Sequence, residues 1–359
     1  MKNQTSFLKK MLSTLVGLGI IAFSFVSCEE DGTTNKNLEV EGIYIVNEGN
    51  FQESNGSITL LNPETGKKID NYFNQQNGRF PGDVVQDLAF TGDKGFIVVN
   101  NSKRVEIVDK DNFSEIDVIP QLSYPRQFMQ VSNNYGYLTN GSSADGSNGH
   151  LFKIDLDKHT IVDTIEVGRG PESMLMAGNR VYVANSGGFG AGNTVSIIDP
   201  GNDQVVKTIA VGDMPTDMVE DKNGDIWVMC KGLTSFLPDG PTNSSLVKID
   251  GESHSTTSFD LGKSASYGLY LLSVSPNKGH VYFVGEEGIY RMSIDATELP
   301  GEPVIGRAPY GLDINPENGR IYCLEPGSGT KGYAVRYDNE HRLIDSVQVG
   351  YSPNAVVFQ

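Results

Sequence analysis

One phrase recurs seven times along the 359-residue chain, and that repetition constrains the fold more than any other feature. In its clearest copy a turn at Asn179 leads into a short apolar strand carrying an aromatic, Val181-Tyr182-Val183-Ala184. A polar loop follows, then a strand ending in Asp, Thr194-Val195-Ser196-Ile197-Ile198-Asp199, then residues 205–211 and the link Gly212-Asp213-Met214-Pro215. The opening aromatics fall at Tyr44, Phe96, Tyr137, Tyr182, Trp227, Tyr282 and Tyr322, spaced by 52, 41, 45, 45, 55 and 40 residues, the period of four-stranded propeller blades. Apolar and polar residues alternate between the turns, and no stretch beyond residue 40 holds a helical period.

A lone blade leaves both faces uncovered, so the repeats are stable only when each stands between two others. The predicted fold is therefore all-β: a seven-bladed propeller of four-stranded antiparallel blades over residues 42–359. Phase adds the closure. The chain enters on a second strand near Gly42 and ends on a first strand from Pro353 to Phe358, so the last strand should pair with the first blade. The Trp-Asp and double-Gly punctuation of WD40 and kelch repeats is absent, and the simpler phrase resembles that of YncE-like and surface-layer propellers.

Ahead of the ring, Lys2, Lys9 and Lys10 precede an apolar stretch over residues 11–26, and Cys28 follows at once. This is the layout of an export signal ending in a lipobox, and the stretch is short for a membrane span. Residues 1–27 read as a lipoprotein signal peptide and residues 28–41 as an acidic tether from a lipidated Cys28. A plain secretory cut is the alternative. Loss of the three lysines takes the formal charge from −17 to −20, which disfavours nucleic acid and anionic lipid as bulk partners. Cys230 and Cys323 fall in second strands two blades apart, too distant for a disulfide, and read as small core residues.

No catalytic constellation stands out: there is no P-loop or Gly-x-Ser-x-Gly, and the five histidines sit singly at turns or strand starts. No resident cofactor or metal is expected. A calcium-dependent lactonase-type propeller stays open as an alternative, because Glu172, Asp217 and Asp313 recur near the inner strands and could converge on the channel; capping of turns is the simpler reading. The seven interblade links, most of them Gly-x-x-Pro and one with Ala265 in place of the proline, and the loops after the second strands should share one rim around the channel mouth. The links hold Arg79, Arg126, Arg169, Lys263 and Arg307, well above what the chain's overall share of Lys and Arg would place there. Phe80, Tyr124, Tyr267, Tyr310, Tyr351 and Asn354 join them, and Phe51, Phe189 and Phe236 are lone aromatics in the longer loops. A cationic, aromatic, amide-rich mouth suits a planar ligand bearing amides and a phosphate, although some of these arginines could pair with acids inside the ring.

Five stretches carry a family resemblance: Ile45-Val46-Asn47-Glu48-Gly49-Asn50-Phe51, Gly82-Asp83-Val84-Val85-Gln86, Val98-Val99-Asn100-Asn101-Ser102, Pro125-Arg126-Gln127-Phe128 and Gly170-Pro171-Glu172. In these the chain resembles the BtuG family, surface lipoproteins of gut Bacteroidetes. The resemblance implies a non-catalytic protein on the extracellular side of the outer membrane. Such a protein would capture cobalamin or a related corrinoid and hand it to a TonB-dependent outer-membrane transporter. The alternatives are a YncE-like propeller with another ligand and the lactonase-type hydrolase.

Overall fold

In the computed structural model, described for residues 42–141, 149–188, 190–237, 239–263 and 271–358, seven antiparallel sheets stand around one axis. Blade 1 is built from both ends of the chain: Pro353–Val357 is its inner strand, followed outward by Ile43–Asn47, Ser57–Leu61 and the short Lys68–Ile69. The predicted closure is thus present, with Tyr44 opposite Val357 and Ile45 opposite Val356. Blades 2 to 7 run in chain order, and their inner strands begin at Val85, Tyr124, Pro171, Pro215, Leu272 and Gly311. Each inner strand touches the next around all seven steps of the ring.

The second strands show why the period-2 pattern specifies this architecture. They are apolar on both faces, because each face packs on a different neighbour. In Ile43–Asn47, Tyr44 and Val46 join the core shared with blade 2, whereas Ile43 and Ile45 join the core shared with blade 7. In Lys94–Val99, Ile97 and Val99 face blade 1 while Phe96 and Val98 face blade 3. The seven buried clusters are the seven spaces between blades. All seven repeat aromatics are buried in them, so the aromatic that defines the repeat is a packing residue.

The Asp that ends most third strands makes the outer hairpin. Asp109, Asp155, Asp199, Asp250 and Asp338 each accept a backbone N–H two residues on, forming an Asx turn. A residue in the left-handed region closes the turn: Phe113, His159, Asp203, His254 and His341, with φ of 61, 55, 60, 60 and 67°. Three histidines are therefore turn residues, which is how the sequence reads most of them. Cys230 and Cys323 are buried and unbridged, as expected.

Two details depart from the regular repeat. A helix, Tyr72–Asn77, leads toward blade 2, with Tyr72 and Phe73 buried in the core between blades 1 and 2. At six residues it is too short to print a 3.6-residue period in the sequence. In blade 6 the fourth strand shrinks to one bridge, Ile289 with Ile305. Pro300 and Pro303 flank that segment, and neither can donate to a ladder.

Candidate functional site at the channel mouth

The links and the second-strand loops do meet on one rim, sewn together by backbone hydrogen bonds. Gly49 N donates to Tyr351 O at 3.1 Å, Asn100 N to Val84 O at 2.8 Å, Ser186 N to Gly170 O at 2.9 Å and Lys231 N to Met214 O at 2.9 Å. Asparagines at the strand ends complete the stitching from inside. Asn47, fully buried, accepts from Gly350 N at 2.9 Å; Asn100 donates to Pro125 O at 2.7 Å; Asn140 accepts from Tyr124 N at 2.9 Å.

Inside this rim six blades send polar side chains to one place. Arg126 donates through Nε to Glu172 Oε1 at 2.8 Å and through Nη1 to Gln86 Oε1 at 2.8 Å, with its guanidinium 5.8 Å from the Tyr124 ring centre. Tyr310 donates its hydroxyl to Glu48 Oε2 at 2.8 Å. Burial raises the Glu48 carboxyl, with Tyr310, Arg126 and Gln86 opposing. Burial likewise raises the Tyr310 hydroxyl, and the Glu48 charge adds to it. Lys231 stands close enough to feel both Glu172 and Arg126; burial pulls its ammonium down. Two carboxylates and two cations make the cluster formally neutral, a polar floor rather than a cationic one.

Lower in the bore, side chains of blades 2, 3, 5 and 7 reach the next blade's inner strand. Asp87 Oδ2 accepts from Phe128 N at 2.9 Å, Asp217 Oδ2 from Leu272 N at 3.0 Å and Asp313 Oδ2 from Val356 N at 2.7 Å, while Gln127 accepts from Met174 N. Burial pushes Asp87 up to about 6 and Asp217 and Asp313 up to about 7. Asn354 donates to Gln86 O at 2.9 Å, and its buried Oδ1 has no hydrogen-bond partner.

The link arginines do not stand together. Arg79 is held by Glu106 and Glu115 at 2.7 Å each and lies over the Phe73 ring. Arg307 pairs with Glu325, Arg126 with Glu172, and Arg169 is exposed. The glutamates come from strands and links of other repeat positions, which the count of link cations could not register. Among the candidates for calcium, Glu172 is engaged by Arg126 and Asp217 and Asp313 bind backbone; among the described residues no three His, Cys, Asp or Glu side chains gather as a metal site. Phe51 and Phe236 project from the rim at 66% and 85% exposure, and Phe80 is also exposed, though less so. Tyr351 lines the same rim, half-buried. Cys28, Phe189, Tyr267 and the side chain of Lys263 lie outside the described residues.

Three members of the site escape a motif search: Glu48, Gln86 and Lys231. Glu48 sits in the Asn-Glu-Gly-Asn-Phe stretch, where its only sequence signal was the family resemblance. The Phe51 loop is fixed by Asp83, which accepts from Gln52 N at 3.0 Å and from Asn101. Gln52 and Ser54 are held there with φ of 68 and 52°, and Asn55 Oδ1 takes Asn50 N at 2.7 Å. An exposed aromatic on a loop ordered in this way meets a ligand with little further entropy to lose.

Residues 41–359 match the family described as a domain of unknown function, DUF5074. No curated protein matches the sequence. Solved structures similar to it include a quinoprotein alcohol dehydrogenase-like protein from Bacteroides thetaiotaomicron, at 14% identity and a TM-score of 0.64 over 89% of this chain and 78% of that one. A putative 6-phosphogluconolactonase from Bacteroides fragilis is similar at 13% identity and a TM-score of 0.62, over 89% and 98% of the two chains. Hydrazine synthase of Kuenenia stuttgartiensis shares 15% identity and a TM-score of 0.59 over 82% and 95%. At these identities the likeness concerns the fold.

Proposed function

We propose that this chain, which belongs to the DUF5074 family, is a non-catalytic, lipid-anchored receptor on the outer surface of the outer membrane. It captures cobalamin or a related corrinoid at the channel mouth and passes it to a TonB-dependent transporter. The observation that supports this most is the composition of the rim. Phe51 and Phe236 stand on loops of blades 1 and 5, across the mouth from one another, above a formally neutral floor of amide, carboxylate, guanidinium and phenol groups. A corrinoid presents the complement: an apolar flat face edged by amides that both donate and accept. Polar groups already paired with one another can exchange partners with such amides without stranding a bare charge.

Mixing the purified protein with cobalamin should give a red complex that survives gel filtration. Calorimetry then reads the site. Phe51→Ala and Phe236→Ala remove exposed rings and should leave the melting temperature unchanged while weakening cobalamin by about 1–3 kcal/mol each. Arg126→Ala and Tyr310→Ala should weaken it by a similar amount and also cost stability, since each strands a carboxylate. Substitutions at Asp93, Asn179, Asn223, Asn277 and Asn318, on the turns of the opposite rim, should leave binding intact. A protein that binds no corrinoid removes this reading, and turnover of a lactone on addition of calcium would put the chain in the hydrolase class instead.

A further inference from the structure

At the end of the ring away from the candidate site, blades 6 and 7 bring together basic and hydrogen-bonding side chains with no acid among them. Arg291, exposed on the third strand of blade 6, places Nη2 3.2 Å from His280 Nδ1 on the adjacent strand. Beside them the Tyr282 hydroxyl lies 3.2 Å from Nε2 of His341, which reaches across from the outer hairpin of blade 7. Exposed Lys222 completes the group from blade 5, its backbone N–H bonded to Lys278 O at 3.1 Å on the turn before His280.

On a chain with a formal charge of −17, several other arginines with solvent access pair with carboxylates: Arg180 has Asp199, Arg320 has Glu64, Arg342 has Asp338 and Glu340. Arg291 has none within ion-pair distance among the described residues. Two acids on neighbouring turns are committed, Glu220 to Lys278 at 2.5 Å and Asp338 to Arg342 at 2.8 Å. What faces the guanidinium is two imidazoles and a phenol, and the Lys222 charge acts on the nearer ring, His280.

We propose that this cluster of Arg291, His280, His341, Tyr282 and Lys222 is an anion site for a phosphoryl group. A guanidinium fork with imidazole, phenol and ammonium donors around it matches an anion with three terminal oxygens better than a single carboxylate. Burial lowers both histidines, and the Arg291 charge lowers them further, so the empty site favours their neutral form. A dianion placed among them offsets Arg291 and lets them take up protons. Binding therefore strengthens as pH falls. Lys222 also lowers His280, and of the acids around the two rings Asp338 alone raises His341 and is held by Arg342, while Glu220 on the neighbouring strand pairs with Lys278.

Calorimetry and histidine ring NMR with inorganic phosphate, against chloride at matched ionic strength, test this on the full chain. The unmodified protein should bind phosphate more tightly at pH 6 than at pH 8, with the ring signals of His280 and His341 moving together. Arg291→Gln should weaken binding about tenfold or more, and Arg291→Lys should restore part of it. Corrinoid binding at the other rim should be unaffected by either, so failure of one site is separable from failure of the other. Glycerol phosphate and vesicles of phosphatidylcholine with phosphatidylglycerol distinguish the source: vesicle binding lost in Arg291→Gln assigns a lipid headgroup, and binding of the free monoester alone assigns a soluble phosphoryl ligand. No response to phosphate in any form, or an Arg291→Gln variant that binds as well as the parent, overturns the proposal.

Discussion

Removal of residues 352–359 is expected to abolish the cooperative melt of the whole ring, an effect out of proportion to an eight-residue tail. Pro353–Val357 is the inner strand of blade 1, and it is tied on four sides. Its ladder pairs it with Ile43–Asn47. Val356 is buried with Ile43, Ile45 and Leu324 in the core between blades 7 and 1, and Ala355 and Val357 pack on the core between blades 1 and 2. Val356 N donates to Asp313 of blade 7, and Asn354 donates to the backbone of blade 2. Burial of Val356 alone is worth about 2 kcal/mol, and the ladder and staple bonds about 1 kcal/mol each, which together approach the total stability of an ordinary domain. The truncated chain should melt broadly or associate through the bared edge of Ile43–Asn47. Calorimetric scanning with gel filtration checks this. Val356→Ala, which keeps the ladder, should cost only about 1–3 kcal/mol and keep a single transition. A truncated chain that melts as sharply and as high as the full one would mean that the closure carries no load.

That closure was legible because it follows from phase: a chain that starts on a second strand and stops on a first has one place to put the remainder. The blades were legible for a similar reason, since each strand's two faces pack against two neighbours and print an alternation within a handful of residues. Even the third-strand Asp has a local cause, the Asx turn that begins two residues later. The floor of the channel mouth has no such local cause. Tyr310 and Glu48 are 262 positions apart and Arg126 and Glu172 are 46 apart, and what joins them is the radial convergence of inner strands. Counting cations in the links found Arg79 and Arg307 but could not see Glu106 and Glu325, which stand on other strands and take up their charge. Composition located the rim; only the fold shows that its center is neutral.

The acids of the bore give the second large effect. Replacing Asp217 and Asp313 by Asn should stabilise the protein at pH 8 and leave it nearly unchanged at pH 4. Both carboxyls rise from an ordinary 3.8 to about 7 in the fold, through burial first; for Asp313 the charge of Asp217 adds to it. A carboxyl whose folded value is raised holds its proton in the native state while the unfolded chain has already released it. Between pH 4 and 7 the native state thus binds more protons than the unfolded one, so stability falls as pH rises through that window and levels off above it. A shift of this size corresponds to about 4 kcal/mol per isolated group; partial access along the bore reduces the expected gain to about 1–3 kcal/mol for the first substitution. The second should yield less than the first, because removing one charge relieves the other. Asn retains an oxygen to accept from Leu272 N and Val356 N, so the inter-blade staples survive. Acids elsewhere act in the opposite sense: Asp155, Asp250, Asp338 and Asp345 are lowered by their partners and lose their contribution only below pH 4. The decisive quantity is therefore the difference in unfolding free energy between variant and parent, followed by denaturant titration from pH 4 to 8. It should grow from near zero to its full value across that range. A difference that is flat with pH, or variants weaker than the parent at pH 8, would show that these carboxyls are ionised in the native ring throughout that range and that the bore solvates them.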